Sequence, residues 1–317
     1  MLQQTRVAVV VERYRSFVAR FPTVESLALA TEQEVLELWS GLGYYRRARM
    51  LLKAAQFVAE HCAGKLPQTA EQLRSLPGVG EYTAAAIASI AHEEPVAVVD
   101  GNVERVLCRL SGWDAEDSKG SALLRRNIAS LAASLVDPEQ PGDFNQAMME
   151  LGATVCLPRN PQCLACPIMG SCKTRGEHKT ARRAPMLSRI VAHALSIREL
   201  DGDHREVVLE QRPASMSVMP GMWQLPMLHD AAVPRAELCV KVRHAIMQIN
   251  YDVRIRTVNE DDLPELTLLG GERRWVTLSS AGGMALTGLT RKVLTRARLL
   301  ESAVVAAQAS QIETIER

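Results

Sequence analysis

Four of the seven cysteines in the chain lie close together, within residues 156–172. They have the spacing C-x6-C-x2-C-x5-C and are Cys156, Cys163, Cys166 and Cys172. Thiolates this near to one another in sequence can converge on one metal centre. Two centres fit the set: structural zinc, which usually takes paired C-x2-C ligands, and a cubane [4Fe–4S] cluster, which also takes four cysteines. The thiol chemistry alone leaves both open.

A glycine turn occurs earlier in the chain, in the sequence Leu-Pro-Gly-Val-Gly of residues 76–80. It joins two predicted helices, and glycine permits backbone conformations that a Cβ atom would block. The amides of Gly78 and Gly80 and the N-terminus of the next helix could then face one phosphate group. The pattern indicates a helix-hairpin-helix motif, although a plain glycine turn fits the same residues.

Asp100 follows the turn at the end of a short apolar run, where the next helix is predicted to begin. An aspartate in this position is most often an N-cap, whose side chain accepts hydrogen bonds from the first amides of the helix. Capping is therefore the role that the local pattern predicts for Asp100.

Apolar residues recur at helical spacing through most of residues 1–172. The segments with this pattern are 7–20, 32–39, 44–59, 69–76, 82–91, 102–110, 122–135 and 144–155. Short turns that contain Gly or Pro separate several of them. We therefore expect residues 1–172 to form a compact all-α domain that ends in the cysteine cluster.

The pattern changes after the last cysteine of the cluster. Residues 173–186 carry five basic side chains against one acidic side chain, which predicts an interdomain linker, with phosphate contacts as the alternative role. Residues 190–197, 207–209 and 251–255 are β-prone, and residues 289–304 look helical. Residues 187–317 are therefore expected to form a smaller α+β domain.

The composition excludes some classes of protein. The formal net charge is only +1, so a nucleic-acid surface must come from local clusters of basic residues. No apolar stretch is long enough for a transmembrane helix, and the N-terminus lacks the pattern of a signal peptide. The cysteine distribution is typical of a metal site in a reducing compartment. We therefore expect a cytoplasmic protein without membrane partners.

Three further segments, residues 1–5, 41–49 and 144–152, complete a family pattern. They read Met-Leu-Gln-Gln-Thr, Gly-Leu-Gly-Tyr-Tyr-Arg-Arg-Ala-Arg and Phe-Asn-Gln-Ala-Met-Met-Glu-Leu-Gly. Together with the hairpin, Asp100 and the cysteine spacing, they make residues 1–172 resemble the MutY-type adenine DNA glycosylases of the helix-hairpin-helix superfamily. The resemblance implies a [4Fe–4S] cluster on the four cysteines. It also implies hydrolysis of the N-glycosidic bond of adenine mispaired with 8-oxoguanine or guanine in double-stranded DNA. The same resemblance implies a bacterial monomer that is associated with the nucleoid through DNA.

The resemblance implies roles for single residues. Asp100 would stabilise the positive charge that develops on the deoxyribose as the base leaves, and Tyr82 and Asn102 would line the sugar site. Gln4 and Tyr44 would wedge into the base stack, and Gln146 would hold the adenine, which must be extruded before it can be reached. A core position for Tyr44 and a helix-surface position for Gln146 are the alternatives. The full set of expected DNA- or lesion-binding residues is Gln3, Gln4, Tyr44, Gly78, Gly80, Gln146 and Gln248.

The residue type at position 82 distinguishes two kinds of enzyme, and here it is Tyr82. Endonuclease III has at the corresponding position a lysine that forms a Schiff base and cuts the strand. A tyrosine cannot form one, so the resemblance implies a monofunctional glycosylase.

The general acid of the family lies outside the sequence. Its glutamate stands two residues before the methionine that corresponds to Met1, and it protonates the adenine. Such catalysis is worth about 10²–10⁴-fold. Either the start codon is misassigned or the chain is a genuine truncation. The first explanation is favoured because the downstream motifs are intact.

The last third of the chain resembles the Nudix-like domain of the same family, which recognises 8-oxoguanine. Residues 210–213, 221–226 and 274–276 carry this likeness. The glutamate-rich run that binds Mg²⁺ in Nudix hydrolases is absent from the sequence, so pyrophosphatase activity is not expected. Where the family has His-x-Phe-Ser-His, residues 244–248 end in Met247 and Gln248. Of these, only Gln248 can donate a side-chain hydrogen bond, which puts selectivity for 8-oxoguanine in question.

Three functions stay open at this point. The first is an adenine glycosylase. The second is a catalytically silent lesion-binding protein. The third, which Tyr82 disfavours, is an endonuclease III-like lyase.

Overall fold

A computed structural model describes residues 1, 7–113, 122–177, 185–200, 204–216, 218–229, 233–234, 237–246, 248–263 and 271–300. The chain divides into two packed units. The first unit comprises Met1–Leu52 and Pro185–Arg317, and the second comprises Lys53–Ala184. The sequence predicts a helical domain at 1–172, a linker at 173–186 and an α+β domain at 187–317. In the structure, residues 1–52 are instead grouped with the C-terminal region. Helical periodicity identifies a helix but not the neighbour it packs on, and the domain limits remain a prediction.

The N-terminal part of the first unit consists of short helices. Threonine caps begin two of them: Thr23 and Thr31 each form a capping box with the third residue of the helix that follows. The helices are α1 Val7–Arg20, α2 Val24–Ala28 and α3 Glu32–Leu38, followed by α4 Arg46–His61, which extends past the limit of the unit.

The rest of the first unit contains two sheets. In the first, β6 lies between β1, to which it is parallel, and β5, to which it is antiparallel. In the second, β3 pairs with β2, β4 and β7, always antiparallel. Alternate residues such as Val242, Val253 and Ile255 point into one apolar core. The strands are β1 Leu187–Leu195, β2 Ile197–Leu200, β3 His204–Gln211, β4 Trp223–Gln224, β5 Leu238–Ile246, β6 Ile249–Thr257 and β7 Arg273–Thr277; the helices are α10 Leu278–Ala281 and α11 Gly288–Arg296.

The second unit is helical. Its core includes Val103, Leu107 and Ile128. Helix α6 packs closely on α9, where a Cβ atom on Gly142 would lie 2.8 Å from the carbonyl oxygen of Ser89. The helices are α5 Ala70–Leu73, α6 Glu81–His92, α7 Gly101–Ser111, α8 Ala122–Leu135 and α9 Pro141–Glu150, and a π-helical turn at Leu151–Val155 leads to the cysteines.

The predicted fold class is confirmed: helices precede an α+β region. Some boundaries differ. The segment expected to be helical from residue 144 to 155 ends in the π-helical turn. The helix expected from residue 44 begins at Arg46, because Tyr44 has a positive φ of 47°. Within the described residues, no helix has the length and apolar character needed to cross a membrane.

The two faces of α8 predict unequal effects of truncation. Ile128 is 2% exposed and Leu123, on the same helix, is 66% exposed. Ile128→Ala should therefore lower the free energy of unfolding by about 2–5 kcal/mol, whereas Leu123→Ala should change it by less than about 0.5 kcal/mol. Urea titration followed by circular dichroism measures both, and equal losses would contradict this packing of α8.

Candidate active site and cysteine loop

The glycine turn lies between α5 and α6. Gly78 adopts a left-handed backbone conformation with a φ of 78°. Gly80 is the N-cap of α6, and a Cβ atom built on it would meet nothing within 4 Å. The first N–H groups of a helix have no acceptor within the helix. The turn can therefore present several backbone donors to an anion across open space.

Asp100 is the N-cap of α7, as the local pattern predicts. Its Oδ1 accepts hydrogen bonds from the backbone N–H groups of Asn102 and Val103, both at 2.8 Å. Its Oδ2 accepts one from the side-chain amide of Asn102 at 2.9 Å. A carboxylate has about four lone-pair positions, so these three bonds fix its orientation and leave one position on Oδ2 for a ligand.

Tyr82 lies on the first turn of α6. Burial raises the pKa of its phenol, and the negative charge of Asp100 raises that pKa further. The phenol is therefore neutral near pH 7. Its hydroxyl donates a hydrogen bond to Sδ of Met149 at 3.6 Å, and a thioether is only a weak acceptor. The structure thus joins Asn102 to Asp100 by hydrogen bonds and places Tyr82 within reach of the charge of Asp100, and their chemical roles stay predictions.

Two residues that the sequence analysis did not single out hold the backbone on either side of Asp100. Buried Asn145 of α9 accepts a hydrogen bond from the N–H of Val98 at 3.0 Å. Gly152 lies against the start of α7, where a Cβ atom would come within 2.6 Å of the Cβ of Asn102. Only glycine allows this approach. The segment before Asp100 and the helix after it are therefore both in contact with the region of α9 and the π-helical turn.

Arg105 links the start of α7 to the residues that precede the first cysteine of the cluster. Its Nη2 donates to Oδ1 of Asn102 at 3.0 Å and to the carbonyl oxygen of Gly152 at 2.6 Å. Its Nε donates to the carbonyl oxygen of Cys156 at 2.8 Å. The side chain that hydrogen-bonds to Asp100 is thus itself held by a residue in contact with the cysteine region.

Arg109 makes a second link one turn further along α7. It is 3% exposed, and its Nη1 donates to Sγ of Cys156 at 3.3 Å and to the carbonyl oxygen of Leu157 at 2.7 Å. Asn102, Arg105 and Arg109 are spaced three and four residues apart, which puts their side chains on one helix face. That spacing was the signal in the sequence that could have identified both arginines.

The four predicted cysteine ligands line one cavity. They all belong to residues 156–176, a segment that we call the cysteine loop. Two 3₁₀ turns, Cys163–Ala165 and Met169–Ser171, shape the loop, and a cysteine follows each turn directly. Among the residues that the structure describes, no three His, Cys, Asp or Glu side chains converge closely enough to hold one metal ion. The four cysteines therefore surround one space.

The other cysteines lie apart from this cavity. Cys108 is packed in the core of the second unit, and burial, followed by the charge of Glu104, raises its pKa to about 11. Its thiol therefore stays protonated. Cys62 is half-buried, and Cys239 is exposed on β5.

Tyr44 lies in the first unit, in the turn between α3 and α4. Its side chain is 59% exposed, so the alternative of a core aromatic is wrong. The guanidinium of Arg47 lies 5.5 Å from the centre of its ring. The exposed ring is available for contact with a ligand.

The predicted glutamines occupy different surroundings. Gln3 and Gln4 lie outside the described residues, as does Met247. Gln146 is exposed, and its amide donates to the carbonyl oxygen of Gly142 in its own helix at 3.3 Å, which fits the helix-surface alternative. Gln248 is exposed in the turn between β5 and β6. The binding roles of these residues stay predictions.

Comparison with known proteins gives consistent results for the helical region. Residues 1–130 match the family described as HhH-GPD superfamily base excision DNA repair protein. The adenine DNA glycosylase of Homo sapiens is 52% identical over 176 residues, which cover 55% of this chain. The adenine DNA glycosylase of Arabidopsis thaliana is 38% identical over 260 residues, which cover 71% of this chain. The match to the plant protein therefore reaches beyond the helical half.

A structural comparison agrees with the sequence matches. The structure of a thermostable thymine-DNA glycosylase has 28% sequence identity and a TM-score of 0.50, and the match covers 55% of this chain and 79% of that one. The chain spans 32% of the human relative and 41% of the plant relative.

The close contact at Gly152 predicts a strong response to one methyl group. Gly152→Ala should lower the free energy of unfolding by about 1–3 kcal/mol, since the new Cβ must displace Asn102 or the backbone around it. Gly101→Ala is the control, because a Cβ there meets nothing within 4 Å. It should be neutral or stabilising by up to about 1 kcal/mol. Urea titration of both variants tests this, and a harmless Gly152→Ala would mean that the π-helical turn lies further from α7.

Proposed function

We propose that this chain, whose residues 1–130 belong to the helix-hairpin-helix superfamily of base excision DNA repair proteins, is an adenine DNA glycosylase. It hydrolyses the N-glycosidic bond of adenine mispaired with 8-oxoguanine or guanine in double-stranded DNA, and it acts as a monomer. The observation that carries the proposal is the carboxylate of Asp100. It is oriented by three hydrogen bonds, and it follows a glycine turn that can bind phosphate.

Asp100 acts by electrostatic stabilisation. When the bond between the sugar and adenine breaks, its electron pair leaves with the base and positive charge develops on the deoxyribose. A fixed carboxylate stabilises that charge without first having to reorient. The hydrogen bonds to Oδ1 keep the carboxylate in place, and the remaining position on Oδ2 can face the sugar.

The glycine turn binds the DNA backbone. The amides at Gly78 and at the N-terminus of α6 supply neutral donors to a phosphate, and the helix dipole adds a favourable potential. Most of the affinity for duplex DNA comes from such phosphate contacts and from nearby cations, and it falls as salt rises. The turn positions the duplex, and the residues around Asp100 carry out the chemistry.

The enzyme is monofunctional. Cutting the strand through a covalent intermediate would require an amine nucleophile. Tyr82 occupies the position at which endonuclease III has a lysine, and its raised pKa keeps the phenol neutral. The hydroxyl can donate a hydrogen bond near the sugar but cannot form a Schiff base. Water therefore completes the reaction, and the DNA strand stays intact.

The cysteine loop is proposed to hold a [4Fe–4S] cluster, as the resemblance to the adenine DNA glycosylases implies. Four thiolates that hold zinc meet at one tetrahedral centre, each about 2.3 Å from the metal. Here all four cysteines line one cavity. A cubane cluster has an iron at each of four separate corners and takes one thiolate at each. Bound there, the cluster would hold the loop together, while Arg109 donates to Sγ of Cys156.

Recognition of the base opposite adenine belongs to the Nudix-like α+β region. The turn between β5 and β6 presents Gln248 to solvent, where its amide can donate to an oxidised or unmodified guanine. A single amide gives less discrimination than the serine and histidine of the family. We therefore infer weaker preference for 8-oxoguanine over guanine than is typical of the family.

Asp100→Asn separates catalysis from capping. Asparagine caps a helix about as well as aspartate, so the free energy of unfolding should change little. Loss of the negative charge should slow adenine release by at least about 100-fold. The rate is measured under single-turnover conditions on a duplex with A opposite 8-oxoguanine. The protein is extended upstream of Met1 to include the glutamate that the resemblance assigns to base protonation.

Asp143→Asn is the matched control, since Asp143 lies exposed in the first turn of α9. It should release adenine at the wild-type rate and bind the duplex equally well. A wild-type rate for Asp100→Asn would reduce Asp100 to a helix cap and remove the basis of the proposed mechanism.

The metal content tests the cysteine loop separately. Protein purified without oxygen should contain about four iron ions per chain and absorb broadly in the visible range. Cys163→Ser should lose most of that iron, whereas Cys239→Ser, at an exposed position on β5, should keep it. About one zinc per chain and no iron would overturn the cluster assignment.

A further inference from the structure

The turn that presents Tyr44 has an unusual backbone. Residues 40–45, which we call the Tyr44 turn, include three positive φ angles: 91° at Gly41, 69° at Gly43 and 47° at Tyr44. Glycine adopts such angles freely, but a bulky L-residue rarely does. A strained angle of this kind persists only where the surroundings determine it, and such angles occur most often at functional sites.

Part of the restraint is local. The indole Nε1 of Trp39 donates a hydrogen bond to the carbonyl oxygen of Gly43 at 3.1 Å. The guanidinium of Arg47 lies 5.5 Å from the ring centres of both Trp39 and Tyr44. These contacts hold one side of the turn and leave the ring of Tyr44 exposed.

The other restraint comes from residues far along the chain. The hydroxyl of Tyr45, whose side chain is almost fully buried, accepts a hydrogen bond from the N–H of Gly41 at 3.4 Å and donates one to the carbonyl oxygen of Leu286 at 3.3 Å. One phenol oxygen therefore joins the backbone of the turn to the α+β region. Burial raises the pKa of this phenol, so it keeps the proton that the second bond needs.

Arg291 of α11 makes a parallel connection. Its Nη2 donates to Oγ of Ser40 at 2.8 Å, and the same nitrogen reaches the carbonyl oxygens of Gly282 at 3.1 Å and Met284 at 3.3 Å. A third link is the hydrogen bond from Arg49, just after the turn, to the carbonyl oxygen of Pro220. All of these residues belong to the first unit.

We propose that Tyr45 and Arg291 are positioning residues, through which the α+β region holds the Tyr44 turn in the conformation that inserts the Tyr44 ring into DNA. The proposal rests on the proposed function, since it takes the Tyr44 ring as the group that enters the base stack. It gives the α+β region a second role besides contact with the base opposite adenine. Weakening the links lets the turn adopt other backbone conformations, and the ring then enters the stack less often.

Tyr45→Phe tests this with the smallest change. It keeps the ring in its packed position and removes only the hydroxyl that joins Gly41 to Leu286. The full chain is mixed with a duplex that carries A opposite 8-oxoguanine and 2-aminopurine in the adjacent pair, whose fluorescence rises when that base is unstacked. Binding and unstacking do not require adenine release, so the readout is independent of catalysis. Urea titration of each variant verifies that it is folded.

The comparison is a double-mutant cycle with Tyr44→Ala. Tyr45→Phe should weaken the unstacking signal and the affinity for the duplex by about fivefold, the scale of effect expected when a hydrogen-bonded hydroxyl is removed. In the Tyr44→Ala background, the same substitution should have no further effect, because Tyr45 acts only through Tyr44. Ser40→Ala, which removes the hydrogen bond from Arg291 to the Tyr44 turn, should behave in the same way. Tyr14→Phe, at an exposed position on α1, is the matched control and should change neither readout.

Three outcomes would overturn the proposal, and they are distinguishable. If Tyr44→Ala leaves unstacking unchanged, the ring is not the wedge and that part of the proposed function fails with the inference. If Tyr44→Ala reduces unstacking but Tyr45→Phe and Ser40→Ala do not, the links have no role in positioning. If the effects of Tyr45→Phe and Tyr44→Ala are additive, Tyr45 contributes to DNA binding by another route. If Tyr45→Phe does not fold, Ser40→Ala decides alone.

Discussion

The hydrogen bonds that Asp100 accepts at the start of α7 are the interaction on which the candidate site depends. They stabilise the helix by satisfying two of its first amides, and they fix the carboxylate that is proposed to act on the sugar. A residue that only caps a helix could be replaced by serine or threonine. A residue that must also carry a negative charge towards a substrate could not. The same hydrogen bonds therefore fit both a helix cap and the proposed catalytic carboxylate. For this reason the local sequence pattern could not distinguish the two roles of Asp100.

Side chains of helix α7 connect Asp100 to the cysteine loop through a series of hydrogen bonds. Asn102 donates to Asp100, Arg105 donates to Asn102 and to the backbone before the loop, and Arg109 donates to Sγ of Cys156. Gly152 lets this backbone come close enough for the contacts to form. A cluster that holds the loop would thus also hold the surroundings of Asp100.

Much of this arrangement could be predicted from the sequence, for definite physical reasons. Cysteines, a glycine turn and a helix cap have strong local requirements, so Cys156, Gly78 and Asp100 were recognisable from residue type and spacing. Asn145 and Gly152 were not, because a buried amide and a close backbone contact depend on which elements meet in space. The packing of residues 1–52 with the C-terminal region likewise depends on contacts in space and has no local signal in the sequence. Helical periodicity gives the apolar face of a helix but does not say what covers it.

The substrate profile of the enzyme tests the central claim most directly. A set of duplexes would carry A, G, C or T opposite 8-oxoguanine or guanine. The protein, extended upstream of Met1, would be incubated with each duplex, and free bases and strand breaks would be measured separately. The account predicts release of adenine alone, from both mispairs, with the strand intact until alkali is added. Release of another base, or strand cleavage without alkali, would contradict it.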